Sequence, residues 1–182
     1  MIITISGFPG SGKSTVAQMV ADKLGYRHVG VGDIMRDMAQ QRGMTILQIS
    51  KLAESDKTVD LELDTRQKQL AKESKLVVDS RLGFHFIPKS YKVFLDVSLE
   101  EAGKRIYNAK RHSEKENLTL EDTITNTKLR RASEILRYKK YYKLEPFKPE
   151  NFDLVLDTTK LMPAQVAEKI IKKFSEISAA HK

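Results

Sequence analysis

The chain has 182 residues, 32 lysines and arginines against 24 acids, four histidines and no cysteine. That length suits one domain with a core of its own; the missing thiols exclude disulfides and thiolate metal sites, and the scattered histidines show no metal-ligand spacing. No apolar run approaches a membrane span, and the first residues read as a core strand rather than a leader, so we expect a cytoplasmic protein with no membrane partner.

Residues 1–6 form an apolar, β-branched strand, and residues 16–24 carry Val16, Val20 and Leu24 at helical spacing before Gly25. Between them stands Gly7-Phe8-Pro9-Gly10-Ser11-Gly12-Lys13-Ser14-Thr15, a G-x-x-x-x-G-K-S pattern. Its setting of strand, loop and helix makes it a phosphate cradle: glycines free the backbone N–H groups to converge on an anion, and the helix start adds its dipole. Lys13 then reaches the β- and γ-phosphates, and the Ser14 hydroxyl is a ligand for Mg²⁺.

A short strand over 27–31 runs into Gly30-Val31-Gly32-Asp33, and a helix follows over 34–42, stopped by Gly43. Asp33 stands where it either caps that helix or faces the phosphates through Mg²⁺-bound water or a substrate hydroxyl. Arg36, one turn on, aims at an acceptor phosphate. Thr45 caps a helix reaching residue 53, and another runs over about 59–73 with no strand between them, so the pair reads as a helical insertion. On the second, Asp60, Asp64 and Gln67 fall at i, i+4, i+7 and share a face, with Arg66 and Lys68 to either side. That face is either charged and solvated, or it reads the amino edge of a base as carboxylates accept from cytosine N4.

Residues 75–81 read as a buried parallel strand ending in Asp79, an acid placed to orient the hydration shell of Mg²⁺, with Arg81 emerging at the carboxyl edge of the sheet. A strand over 91–97 leads to Ser98-Leu99-Glu100-Glu101, a capping box that opens a long helix carrying Arg105 and Arg111. Polar residues 112–117 suggest a mobile tip, after which Thr119-Leu120-Glu121-Asp122 starts a second long helix to about 142. On it Arg130, Glu134 and Arg137 share a face: two arginines, one steadied by a carboxylate, form either a clamp on a transferring phosphoryl group or an exposed salt-bridged stripe. Between Lys104 and Lys148 there are 13 basic residues and 6 acids, so nearly all of the net +8 lies there. With a phosphate loop in the same chain, a lid over polyphosphate is favoured over a solvated face or a nucleic-acid patch. A last strand over 152–156 reaches Asp157-Thr158-Thr159. Pro163 then begins a helix whose Val166, Ile170, Phe174 and Ile177 face the sheet, before a frayed tail at 178–182.

Taken in order, these motifs resemble the nucleoside monophosphate kinases, and more closely the cytidylate kinases of the short archaeal type. The resemblance rests on the phosphate loop, Val31-Gly32-Asp33-Ile34-Met35-Arg36, Asp64-Thr65-Arg66-Gln67, V-V-D-S-R-L-G at 77–83, F-L-D-V-S-L-E at 94–100, the Arg130/Glu134/Arg137 face and D-L-V-L-D-T-T at 153–159. It implies a three-layer α/β/α P-loop fold with a five-stranded parallel sheet. The core would be 1–32, 75–103 and 150–182, with an acceptor-binding insertion at about 33–74 and a lid at about 104–148. It implies ATP as donor, Mg²⁺ as cofactor and CMP or dCMP as acceptor.

By the same resemblance Arg36 and Arg81 bind the acceptor phosphate, with Asp33, Asp60, Asp64 and Arg66 beside the acceptor. Lys13, Arg105, Arg130 and Arg137 act on the transferring phosphates, and Asp157, Thr158 and Thr159 lie beside adenine. Ser14 would ligate the metal directly, and Asp79 and Asp33 through water. The chain departs from the pattern at Asp79-Ser80-Arg81, where Glu-Gly-Arg is usual, and at Arg131 and Ile135, where an acid and an arginine are usual. The competing readings are another P-loop small-molecule kinase, acting on AMP, UMP or a metabolite hydroxyl as shikimate and gluconate kinases do, and a slow ATPase whose basic segment contacts RNA. The chain is expected to act as a monomer.

Overall fold

The computed structural model describes residues 1–109 and 117–180. Its five strands are β1 (Ile2–Gly7), β2 (Arg27–Gly30), β3 (Leu76–Asp79), β4 (Tyr91–Asp96) and β5 (Leu154–Asp157). All pair in parallel in the order β2-β3-β1-β4-β5, with Ile3 opposite both Val77 and Tyr91. Side chains alternate across a strand, so the apolar run in β1 serves two cores. Ile2, Leu76 and Val78 face α2 (Val31–Gln41), α3 (Ile46–Leu52), α4 (Thr58–Leu70) and α5 (Gly83–Phe86). Ile3, Ile5, Val77, Val93 and Leu95 face α1 (Lys13–Leu24) and α8 (Pro163–Ala180). The expected three-layer α/β/α arrangement is present.

Two further helices, α6 (Leu99–Ala109) and α7 (Leu120–Tyr142), pack on each other beyond β4. The expected lid tip at 112–117 lies outside the described residues except for Asn117, and so does Arg111. Because the sheet is parallel, the carboxyl ends of the strands gather at one edge. The central strand β1 delivers the phosphate loop there, between the ends of β3 and β4, where open α/β sheets bind ligands.

Several boundaries differ from expectation. α2 begins at Val31, not 34, because Val31, Met35, Met38 and Ala39 bury one face and Gly30, still extended, becomes the cap. Asp33 therefore sits in the first turn rather than capping it. A 3-10 turn at Pro149–Asn151 delays β5 to Leu154. α5 is too short to show a period and was not anticipated. The capping box at Ser98 is half formed: Ser98 Oγ accepts from the Glu101 N–H at 3.2 Å, but the Ser98 N–H donates to Thr159 Oγ1 at 3.0 Å. The Thr45 and Thr119 boxes are complete. Helix α8 continues to Ala180, and Ile177, expected to pack on the sheet, is exposed.

Candidate active site

The loop after β1 turns on two glycines. Gly10 has φ +79°, and a Cβ there would lie 2.6 Å from the Ala102 carbonyl oxygen of α6. Gly12 has φ +83° and caps α1 in the left-handed region. Phe8 contributes backbone more than ring: its carbonyl accepts from Ser11 N–H at 3.2 Å and from Lys13 Nζ at 2.9 Å. The ring packs edge-on to Phe94 at 5.5 Å and beside Phe147 at 4.5 Å. Arg131 of α7 also lies over the Phe8 ring, 4.2 Å from the centroid, and donates to the Val97 carbonyl at 3.2 Å. Lys13 is buried, and that burial, reinforced by Arg81, brings its ammonium well below the ordinary lysine range.

Two cavities flank this loop. The first, about 110 Å³, is bounded by the loop, α2, α4, the turn after β3 and α7. Here Ser14 Oγ donates to Asp79 Oδ2. A hydroxyl and a buried carboxylate meeting at the phosphate loop are hard oxygen donors of the kind Mg²⁺ takes, so these residues fit that ion. Arg81 Nε donates to Glu134 Oε2 at 2.8 Å, and Arg130 Nε lies 3.4 Å from Glu134 Oε1. Burial alone would raise the Glu134 carboxyl, but Arg81 and Arg130 outweigh it and hold it at about 2. Arg36 also lines the cavity, ion-paired to Asp33.

The face of α4 expected to carry Asp60, Asp64 and Gln67 is buried and lines this cavity; it is not a solvated stripe. Burial pushes the Asp60 carboxyl up to about 6 against the pull of Arg137, and raises Asp64 as well. Tyr142 donates its hydroxyl to Asp64 Oδ2 at 2.7 Å. Ser80 donates to Gln67 Oε1.

The second cavity, about 500 Å³, lies on the opposite side of the loop, between α6 and the turn after β5. Arg105 lines it, donating to the Thr158 carbonyl at 2.7 Å and pairing with Glu101 at 2.9 Å. Thr158 donates to the Asp96 carbonyl at 2.9 Å, and Asp157 accepts from the Thr159 N–H at 2.8 Å. Asp157 thus orders this turn from outside, while Thr158 and Thr159 line the cavity.

The structure gathers Lys13, Ser14, Arg36, Asp60, Asp64, Asp79, Arg81 and Arg130 around one cavity, and places Arg105, Thr158 and Thr159 at the other. It does not bring Asp33, Arg66 or Arg137 to either lining. Asp33 and Arg66 are exposed. Arg137 is 1% exposed, with Nε 3.2 Å from Asp60 Oδ2 and Nη1 donating to the Ser50 carbonyl at 3.3 Å. It shares a face with Arg130 but stands seven residues along α7, about 10 Å away along the helix axis. Arg105 is likewise tied to the turn after β5 rather than to the first cavity. The Arg81–Glu134 pair was not legible, since it joins residues 53 apart; only the i, i+4 spacing of Arg130 and Glu134 hinted at half of it.

A family model described as the cytidylate kinase-like family matches residues 2–160. The chain is 36% identical to the cytidylate kinase of Methanocella arvoryzae over 181 residues, covering 99% of this chain and 100% of that protein. It is 40% identical to the cytidylate kinase of Natronomonas pharaonis over 166 residues, covering 90% of this chain and 83% of that one. Among solved structures, a shikimate kinase from Bacteroides thetaiotaomicron superposes with a TM-score of 0.65 at 14% identity, covering 98% of both chains. A gluconokinase from Sinorhizobium meliloti 1021 gives 0.63 at 15%, covering 98% of this chain and 93% of that one. At such identities these two share the fold.

Proposed function

The chain belongs to the cytidylate kinase-like family, and from that premise we propose how its residues transfer the γ-phosphoryl group of ATP to CMP or dCMP. The observation that carries the proposal is the cavity joining the phosphate loop to Arg81, Arg130 and the carboxylate face of α4. ATP lies across the loop, its base in the second cavity between Arg105 and the Thr158-Thr159 turn. The acceptor lies in the first, its phosphate on Arg36 and Arg81 and its amino edge toward Asp60 and Asp64. Asp33 steadies Arg36 from outside. Arg66 is left without a role in this arrangement.

An oxygen of the acceptor phosphate attacks the γ-phosphorus in line. A P–O bond forms to the acceptor as the bond to ADP breaks, and no general base is needed. Lys13 leaves the Phe8 carbonyl for the transferring phosphoryl oxygens, and Arg130 adds a second positive group. Ser14 and Asp79 would hold Mg²⁺, which when bound neutralises charge on the β- and γ-phosphates. Glu134 pairs with Arg81 and Arg130 and so keeps both cations oriented in a buried site. We propose that acceptor binding moves α7 relative to the 33–74 insertion. We propose a monomer as the working unit. No helix among the described residues is long and apolar enough to cross a membrane.

A coupled assay with MgATP against CMP, dCMP, UMP, AMP and GMP, with a control lacking acceptor, tests this. Turnover fastest on CMP or dCMP is expected. ADP release equal with and without every acceptor would remove the kinase reading.

A further inference from the structure

The buried amide of Gln67 is fixed from both ends. Its Oε1 accepts from the Ser80 hydroxyl, and its Nε2 lies 3.4 Å from the Leu63 carbonyl one helical turn back. The direction of the Ser80 hydroxyl is itself determined, because Ser80 Oγ accepts from the Leu82 N–H at 3.2 Å and so turns its proton toward Gln67. Ser80 is anchored in turn by its carbonyl, which accepts from Ser6 Oγ of β1 at 2.8 Å. Gln67 and Ser80 are each 3% exposed, and both line the first cavity. An amide held this way keeps its oxygen spoken for and has an N–H left to offer a ligand.

On the same face of α4, one and two turns toward its start, stand Asp64 and Asp60. Tyr142 donates to Asp64 Oδ2, and the Arg137 guanidinium lies beside Asp60 Oδ2. Both carboxylates are thereby held as acceptors. The face therefore presents acceptors followed by a donor.

We infer that Gln67 reads the acceptor base, donating to cytosine N3 while Asp60 and Asp64 accept from N4, and that Ser80 is the positioning residue that keeps the Gln67 amide in its donating orientation. This rests on the acceptor being a cytidine nucleotide. Cytosine offers an amino donor at N4 beside an acceptor at N3, which match the face group for group, whereas O2 accepts in cytosine and uracil alike. Uracil offers an acceptor at O4 and a donor at N3, so it meets carboxylates with an oxygen and the amide N–H with another N–H. Mismatched buried polar groups are the strongest basis for rejecting a near-isostere. Ser80 does this without touching the base: lacking its hydroxyl, the amide is free to turn over and offer its oxygen to uracil N3.

The test is kcat/KM for CMP and for UMP, with MgATP saturating, in the wild type and in Ser80→Ala, Ser80→Thr and Gln67→Met. Ser80→Ala should lower the CMP:UMP preference about tenfold, chiefly through KM, and Ser80→Thr, which keeps a hydroxyl, should restore it. Gln67→Met keeps the volume and loses the donor, so it should lower the preference at least as far. If Ser80→Ala does not fold, Gln67→Met decides the matter alone. A purely structural role would lower both activities together and leave their ratio unchanged, and that result would overturn the inference. A wild type that does not prefer CMP would instead fail the underlying reading of the acceptor.

Discussion

Lys13 shows at the residue scale how a site built for phosphate strains the chain that carries it. Its ammonium is buried and donates to one carbonyl, and burial together with Arg81 depresses its pKa. A cation whose folded pKa lies below its unfolded value costs stability at neutral pH, a cost relieved only as pH rises toward the unfolded value. Lys13→Met should therefore raise Tm by a few degrees, at about 2–4 °C per kcal/mol for a chain of this size, while kcat falls by about 10²–10³. Thermal melts of the two proteins at pH 7 without ligand decide it. An unchanged or lower Tm would mean that the Phe8 carbonyl, Asp79 and Glu134 already compensate the charge.

The same scale marks what the sequence could and could not tell. Lys13 and Ser14 were legible because the loop chemistry is local and the flanking strand and helix announce it. Arg36, Arg81, Asp60 and Asp64 were legible as positions on a face or at a strand end. Their partners were not: Glu134 for Arg81, Tyr142 for Asp64 and Ser80 for Gln67 come from remote parts of the chain. No periodicity encodes such pairings.

Helix α7 is the element where expectation and structure part most. Its face at 130, 134 and 137 read as one clamp, yet the structure divides it. Arg130 and Glu134 serve the cavity, whereas Arg137 ties α7 to α4 through Asp60 and to α3 through the Ser50 carbonyl. Ser133 also donates to that carbonyl, at 3.3 Å. Spacing identifies a shared face but not how far along its axis the ligand extends. Removing one partner of a buried pair leaves the other charge uncompensated, so Arg137→Ala should lose about 3–5 kcal/mol of stability. The double variant with Asp60→Ala should recover part of that loss in urea denaturation. Stability held within about 1 kcal/mol, combined with a large fall in kcat, would return Arg137 to the phosphates. Arg131 extends the contrast: its guanidinium covers the phosphate-loop ring of Phe8, joining α7 to the loop by packing and charge.

For the whole molecule, two carboxyl groups around one cavity respond to pH in opposite senses. Glu134 titrates at about 2 in the fold against an ordinary 4.5, so its contribution is complete above pH 4.5 and is lost as pH falls toward 2. Asp60 titrates at about 6 against 3.8, so between those values the native chain binds more protons than the unfolded one, and its contribution is lost as pH rises through 6. Asp64, also raised by burial, acts in the sense of Asp60; His85, lowered by burial and close to Asp64, acts against it. The difference between wild type and Asp60→Asn isolates the one group. The variant lacks the Asp60 charge at every pH, so whatever it loses by leaving Arg137 unpaired varies little with pH. The wild type sheds its own advantage as Asp60 ionises. From pH 4 to pH 7 the stability of Asp60→Asn relative to wild type should climb by on the order of 2–3 kcal/mol, read from urea denaturation across that range. A difference that stays flat would place the Asp60 carboxylate in the ordinary range, fully paired by Arg137. A difference that climbs ties the acceptor cavity to the stability of the whole sheet. There, the buried Asp60 carboxyl is most at ease when protonated, and on the proposed function an acceptor that donates to its ionised form should stabilise the fold more at pH 7 than at pH 5.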